Sequence, residues 1–525
     1  MPARVVKLGT RRSALARAQS AAVARRLESL HPGLQVELVG IDTRGDRILD
    51  TPLREVQGKE FFTAEIDAAL QAGTVDFTVH SYKDLSLERS AAFRLAAVPR
   101  REQPRDIVVF APDVRERVAA GEPLRIGSSS PRRASFIPEL LHQLLPGPDT
   151  GTALGRVQLV ELRGNVDSRL RRLHEPRGSA RQIDGVVLAF AGLARLWADE
   201  SGRALLQELL VPLPRMVLPL SASPGAPAQG ALAIECRAAD ATTSALLEAI
   251  DDAPTRRAVA AERALLAERG GGCHQRFGAT QLEVPELGAL LYLREAQEHA
   301  GGLDVGPPQL RWTPAIPLPV PVGPIRAWDG SRAQRPPIEA LEDGRVRSAQ
   351  RLPSARALFI THRRALPEGH AAAIPAHAHV YVPGVETWRA LAREGVWVEG
   401  CAEGLGAAAL EPLLAEPLLQ LPASPGWLVY THAEAVGGWS WGEIVATYRH
   451  RAPTNSDPGL TGPPQAATHL YWHSSAQFEQ ARARVPAGAH HACGPGKTFE
   501  HLRAAGVHNL RMFPSPTHWR EWLQL

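Results

Sequence analysis

The 525-residue chain has little cysteine, little aromatic side chain and little net charge. Its four cysteines (Cys236, Cys273, Cys401 and Cys493) are too few and too scattered for a disulfide framework or a thiolate zinc site. A reducing cytosolic setting is expected, and any special cysteine should be chemical rather than structural. The formal charge of +4 is small for this length and argues against a nucleic-acid partner. Apolar runs such as Gly185 to Ala194 fall far short of a membrane span, and the N-terminus enters a strand-like segment without a signal-peptide core. What remains is ordinary for a globular protein, with 44% apolar and 22% charged residues and a length that calls for several domains.

Strand and helix periodicities alternate over the first two hundred residues. Val5 to Gly9, Gln35 to Ile41 and Asp76 to His80 read as strands, with a helix capped by Ser13 and another over Thr63 to Gln71. A second set follows: strands Ile107 to Phe110, Leu124 to Gly127, Val157 to Leu162 and Gly185 to Phe190, with helices after Arg132 and Asn165. Such alternation means α/β layers with ligands at the carboxyl ends of the strands. Helix-rich sequence fills Thr242 to Arg269. Residues 300–355 are dense in Pro, Gly and Arg, and their later part is expected to be a linker or poorly ordered. In the last 170 or so residues, Gly384, Thr387, Leu391 and Gly395 repeat the spacing of Gly496, Thr498, Leu502 and Gly506 from threonine onward. A loop, one helix and a terminal glycine would give that pattern, so two similar α/β units are expected.

Arginines recur where strands end and helices start: Arg11-Arg12-Ser13, Ser128-Ser129-Ser130-Pro131-Arg132-Arg133, and Arg163-Gly164-Asn165 with Arg169. Free N–H groups at a helix start, hydroxyls and guanidinium forks suit carboxylates or phosphates. One such pair is ordinarily a solvated surface; three at equivalent points predict an anion-lined cleft. Asp84 closes the run His80 to Asp84. A lone aspartate is ordinarily a turn residue, but in a basic cleft it stabilises a cationic intermediate. Cys273 follows Gly270-Gly271-Gly272, which implies an exposed loop in place of the buried site usual for a free thiol. Gly496-Lys497-Thr498 fails as a phosphate loop because His491 occupies the earlier glycine position. His490-His491 is expected to be an exposed loop, and the sequence calls for no metal.

Leu8-Gly9-Thr10-Arg11-Arg12-Ser13, Thr43-Arg44-Gly45-Asp46, His80-Ser81-Tyr82-Lys83-Asp84, Leu162-Arg163-Gly164-Asn165-Val166, Gln229-Gly230-Ala231-Leu232-Ala233-Ile234-Glu235 and Gly271-Gly272-Cys273 resemble the porphobilinogen deaminase (hydroxymethylbilane synthase) family, in family order over roughly residues 4–300. The resemblance implies two α/β domains like those of periplasmic binding proteins, residues 1–102 with 212–235 and residues 103–211. A small α+β domain with a linker follows over 236–350. It implies a dipyrromethane cofactor joined to Cys273 through a thioether, with Lys83, Ser129, Ser130, Arg132, Arg133 and Arg163 around it. Asp84 would assist ammonia loss from porphobilinogen and stabilise the resulting cation. Arg11, Ser13, Gln19, Lys59 and Arg169 match positions near the substrate carboxylates. Four condensations and a hydrolysis would release the linear tetrapyrrole hydroxymethylbilane, from a monomer without membrane or nucleic-acid partner. The sequence departs from the family at Glu55 and Gln57-Gly58-Lys59-Glu60, at Ser86, and in a longer Ser221 to Pro227 link.

Residues 356–525 resemble uroporphyrinogen-III synthase, on the internal repeat, Ala446-Thr447-Tyr448-Arg449 and Leu470-Tyr471-Trp472-His473-Ser474-Ser475. That family is two α/β domains around a cleft, which Tyr448, Ser474 and Thr498 would line, and the chain would then be bifunctional. The rival readings are a non-catalytic anion-binding protein and a deaminase with an inactive synthase-like tail. Asp84 paired with a glycine-flanked Cys273 speaks against the first.

Overall fold

The computed structural model describes residues 4–43, 63–147, 157–272, 275–299, 302–321, 323–330, 337–423, 426–439, 441–451, 463 and 465–524. It is a mixed α/β structure, and among these residues the strands form five sheets.

The first two sheets share one plan. In the first, Leu34–Ile41, Arg4–Arg11 and Phe77–Ser81 run parallel, and Leu232–Arg237 inserts antiparallel between Phe77–Ser81 and Phe93–Ala97. In the second, Val157–Val160, Leu124–Gly127 and Gly185–Ala189 run parallel, followed antiparallel by Asp106–Phe110 and then Arg215–Val217. Central strands such as Asp106–Phe110 are buried throughout, which accounts for their near-continuous apolar sequence between helical layers. Arg215–Val217 thus pairs in the second sheet, although 212–235 as a whole was expected with the first.

Two chain crossings join these sheets side by side. Gly230 adopts φ +87°, and a Cβ there would stand 2.6 Å from the Glu102 carbonyl oxygen of the other crossing. Only glycine accepts both demands. The Glu262 carboxylate, fully buried, takes Arg101 on both oxygens (2.5 and 2.9 Å) and the amides of Ala228 and Gln281 at 2.7 Å. Glu262 sits on helix Ala253–Glu268, which packs on the third sheet, an antiparallel unit of Phe277–Val284, Gly288–His299, Gly302–Val305 and Gln309–Pro314.

The proline-rich stretch is more ordered than its composition predicts. Ala327–Trp328 pairs parallel with His469–Trp472, and Ile338–Ala340 pairs antiparallel with Gly442–His450. Helix Glu342–Arg351 follows. Both short strands lie at sheet edges, where missing amide donors do no harm to the ladder. The carboxy-terminal units therefore begin before residue 356. One is a six-stranded sheet running Ile338–Ala340, Gly442–His450, Trp427–His432, Ala357–Ile360, His379–Val382, Gly400–Cys401; the other is a parallel sheet of Ala327–Trp328, His469–Trp472, His490–Cys493 and Leu510–Met512. The repeat takes its expected form: helices Val385–Ala392 and Lys497–Ala504 are followed by left-handed Gly395 (φ +86°) and Gly506 (φ +78°). His490-His491 is a strand and not an exposed loop; His491 is buried and accepts the Trp472 indole N–H at 3.0 Å.

Candidate functional site

Asp106 opens the buried strand Asp106–Phe110, facing the first turn of helix Pro131–Leu144, which Ser130 caps and Pro131 starts. Arg132 donates to Asp106 Oδ2 (2.8 Å) and to the Pro224 carbonyl (2.8 Å), and Arg133 to Asp106 Oδ1 (2.8 Å) and the Val187 carbonyl (2.9 Å). Gln229 adds a third donor to Oδ1 at 2.9 Å. Burial by itself would raise the Asp106 carboxyl; Arg132 and Arg133 outweigh it and hold it far below the usual carboxylate range. Both arginines are thereby fixed in place, each with its Nε–H lacking an acceptor among the described residues. A buried guanidinium with an unused donor is suited to receive an anionic group.

Lys83 and Asp84 lie on the single turn Tyr82–Asp84 after strand Phe77–Ser81. Burial lowers the Lys83 ammonium, Arg133 and Arg132 lower it further, and Asp84 and Asp106 oppose them. Arg169 donates to the Gly164 carbonyl (2.8 Å), and burial, helped by Arg133 and Arg163, brings its guanidinium down to about 10 against a small opposing pull from Asp84. Arg163 meets Glu161 at 3.5 Å on the rim. Among the described residues these groups form one electrostatic cluster, in which Lys83, Arg132, Arg133, Arg163 and Arg169 lie with Asp84, Asp106 and Glu161. Asp84 is exposed, and Asp106 is consumed internally. The cluster is built to accept further negative charge.

The turn carrying Asp84 is gripped from helix Ala253–Glu268. The Arg263 guanidinium stacks 4.4 Å over the Tyr82 ring and donates to the carbonyls of Tyr82 and Leu85 (3.1 Å each) and Ser86 (2.8 Å). That helix runs into Gly270, Gly271 and Gly272, all left-handed at φ +79°, +69° and +95°. A Cβ on Gly271 would come within 2.7 Å of Leu87 Cδ1, so the root of the glycine loop rests on the segment just after Asp84. Cys273 and Lys59 themselves lie outside the described residues, as do Glu55 and Gln57 to Glu60.

The remaining expected residues take structural positions as well. Ser13 accepts the Ala16 amide as the cap of helix Ala14–Leu30, and buried Gln19 donates to Ser81 Oγ at 3.1 Å. Arg11 ends strand Arg4–Arg11, and Ser129 is half-buried beside the capping Ser130. Asp106, Gln229 and Arg263 were not anticipated. A charged residue opening the apolar run Ile107 to Phe110 was a usable signal for Asp106, but Arg263 is one helix arginine among several and carries none.

In the carboxy-terminal units Tyr448 is buried beside the rings of His432 and His450. Ser474 caps helix Ser475–Ala481 through the Gln477 amide (3.2 Å), and Thr498 lies in the first turn of Lys497–Ala504. The two units meet where a Cβ on Gly406 would stand 2.8 Å from Gly496 Cα, and where Lys497 lies 5.4 Å from the Trp439 ring centre.

A pair of similar sheets carrying a cluster of arginines is one of many anion-binding arrangements, and comparison with known proteins narrows it. Residues 6–245 match the family model described as porphobilinogen deaminase, dipyromethane cofactor binding domain. The porphobilinogen deaminase of Sphingopyxis alaskensis is 42% identical over 314 residues, 57% of this chain and 88% of that one. Those of Syntrophotalea carbinolica and Roseiflexus sp. are also 42% identical, over 52% and 53% of this chain and 77% and 82% of theirs. The chain belongs to the porphobilinogen deaminase family. Among solved structures, the BenM effector-binding domain aligns with 52% of this chain and 96% of its own at 14% identity and a TM-score of 0.26. No helix among the described residues is long and apolar enough to cross a membrane.

Proposed function

We propose that the chain is a porphobilinogen deaminase, condensing four porphobilinogen units with loss of ammonia and releasing hydroxymethylbilane by hydrolysis. The observation that carries this is a cation-rich cluster beside one exposed carboxylate, Asp84, three residues before Leu87, on which Gly271, two residues before Cys273, rests.

The residues fit a dipyrromethane bearing four carboxylates. Arg132 and Arg133 each retain an unused buried donor, and Arg163, Arg169 and Lys83 supply further positive charge nearby. When bound through Cys273, the group supplies an electron-rich pyrrole end onto which substrate is added. The protein's own tasks are then separable. The arginines hold acetate and propionate arms of cofactor and substrate, as charge-assisted hydrogen bonds do well. Asp84 accepts a pyrrole N–H and stabilises the positive charge that develops as ammonia leaves. Lys83, its charge already disfavoured by burial beside two arginines, gains from each carboxylate that enters. The expected domains are those of the family, with the first two sheets forming the walls and the third carrying the cysteine.

An intact-mass measurement on the full chain, produced where porphobilinogen is available, tests this directly. The mass should exceed the sequence mass by two linked pyrrole units, and Cys273→Ser should abolish the excess. Unmodified wild-type protein would remove the assignment.

The carboxy-terminal pair of units favours a second activity of the uroporphyrinogen-III synthase type. Its support is the internal repeat, two α/β units meeting at Gly406 and Gly496, and Tyr448 at the end of a parallel strand. Feeding porphobilinogen and resolving the ring isomers decides it: the type III isomer is expected, and only the spontaneous type I product would leave the tail without this activity.

A further inference from the structure

Two groups of metal-ligating side chains occur among the described residues, and they differ in one respect. In the first, Asp67, His80 and Glu235 already enclose a cation. The Arg89 guanidinium donates to both Asp67 oxygens (2.8 and 2.9 Å) and both Glu235 oxygens (2.6 and 3.0 Å). In the second, formed by His432, Glu434 and His450, no lysine or arginine among the described residues ion-pairs with the carboxylate.

The fold assembles this second group with some care. Trp427–His432 and Gly442–His450 are parallel neighbours whose register shifts between Thr431 and His432, so that His432 stands opposite Tyr448. Bulges of this sort re-aim side chains. Tyr448 and His450, two residues apart, then share a face, and the His432 and His450 rings come to 4.7 Å. Glu434 closes the group from the 3₁₀ helix Ala433–Gly438 that follows His432. Its Oε2 lies 2.8 Å from His432 Nδ1 and 3.2 Å from His450 Nδ1, and its Oε1 accepts the His450 amide at 2.9 Å. The backbone bond fixes the carboxylate as an outer contact fixes a ligand.

From this geometry we propose a divalent-cation site for a borderline first-row ion such as Zn²⁺, with His432 Nδ1, His450 Nδ1 and Glu434 Oε2 as ligands. Ligand atoms around a tetrahedral zinc at about 2.1 Å are roughly 3.4 Å apart. The spacings of 2.8 and 3.2 Å need only a few tenths of an ångström of opening. Each neutral ring then carries its proton on Nε2. Two imidazoles and one carboxylate leave the fourth position for water or a ligand oxygen, on the side where Glu434 is 46% exposed. The site lies at the carboxyl ends of two parallel strands, where α/β sheets take ligands, and beside Tyr448.

Co²⁺ is the probe, since its visible absorption reports coordination number. The full chain, stripped by chelator, is titrated with Co²⁺ and then displaced with Zn²⁺. One equivalent should bind with a four- or five-coordinate spectrum, and His432→Ala, His450→Ala and Glu434→Gln should each weaken it at least about 100-fold. His450→Cys gives a readout that general destabilisation cannot: a sulfur-to-cobalt charge-transfer band appears only if residue 450 is a ligand. Wild-type protein that takes up no Co²⁺ at micromolar concentration, uptake unchanged in the three variants, or a missing band in a folded His450→Cys protein would overturn the site.

Discussion

The amino-terminal and carboxy-terminal pairs of sheets solve the same architectural problem with different materials. Buried charge organises the first pair: Asp106 with Arg132 and Arg133, Arg89 with Asp67 and Glu235, Arg101 with Glu262. Aromatic volume organises the second, where Trp388, Trp472, Trp519, Tyr381 and Tyr430 are fully buried. A buried ion pair tolerates no shift of residue or position, because an orphaned partner is costly. An apolar core accepts many substitutions of similar volume. The first construction therefore leaves fixed motifs in a sequence, and the second leaves only periodicity.

The sharpest way to break the first pair is Asp106→Asn. It strands Arg132 and Arg133 in the interior with one acceptor fewer and no countercharge. A loss of about 3–5 kcal/mol in denaturant unfolding is expected. The pH dependence carries the same signature. Because the folded-state Asp106 is depressed, its contribution is complete above the unfolded value near 3.9 and is lost as pH falls below that. The difference in stability between wild type and Asp106→Asn should thus shrink from pH 5 downward. A constant difference would show that the carboxylate's charge is not what holds the arginines.

Asp84→Ala tests the cleft and not its foundations. Asp84 is exposed and, among the described residues, anchors no other element, so the unfolding midpoint should stay near the wild-type value while turnover falls at least about 100-fold, roughly 2.7 kcal/mol in the barrier. Near-normal turnover would remove Asp84 from the proposed chemistry and leave the cleft as an anion-binding surface.

The legibility of the sequence follows the same division. The cap at Ser13, the parallel strands of the first two sheets and the recurrence of arginines at helix starts were readable because each rests on local rules or a fixed motif. Asp106 was not assigned a partner, since pairing across a sheet and a helix has no sequence period. Composition misled at 327–328 and 338–340, where proline-rich chain is compatible with an edge strand. The His432, Glu434 and His450 group escaped because a bulge, not a spacing, brings its members together.

Between the two pairs stands a join that belongs to neither. Glu403, on the six-stranded unit, accepts the amides of Leu220 (2.7 Å) and Ser221 (3.0 Å) and the Ser221 hydroxyl (2.6 Å), and meets Arg105 at 3.3 Å. Leu220 and Ser221 lie on one crossing between the first two sheets and Arg105 on the other, so this tail carboxylate holds both. Nearby, Trp397 packs edge-on to Phe110 and donates to the Arg215 carbonyl. Glu403→Ala should cost about 2–3 kcal/mol, because two amides and a guanidinium lose their acceptor in a buried place. If the halves are independent, the cost will be confined to the unfolding of the tail. If the join is real, the deaminase half will lose stability with it.

The smallest effect separates two roles of one hydroxyl. Ser13 caps helix Ala14–Leu30, and the proposed chemistry would also place its hydroxyl near substrate. Ser13→Ala removes the acceptor of the Ala16 amide and should cost about 1 kcal/mol, whereas Ser13→Gly should cost only a few tenths, since glycine is tolerated at that position. A hydroxyl that only caps will let turnover follow stability, leaving Ser13→Gly close to wild type. A hydroxyl that also holds a substrate carboxylate will make both variants raise KM by a similar factor despite their different stabilities. The two variants thus divide the scaffold's need for Ser13 from the cleft's, at the boundary where the legible half of the chain becomes a site.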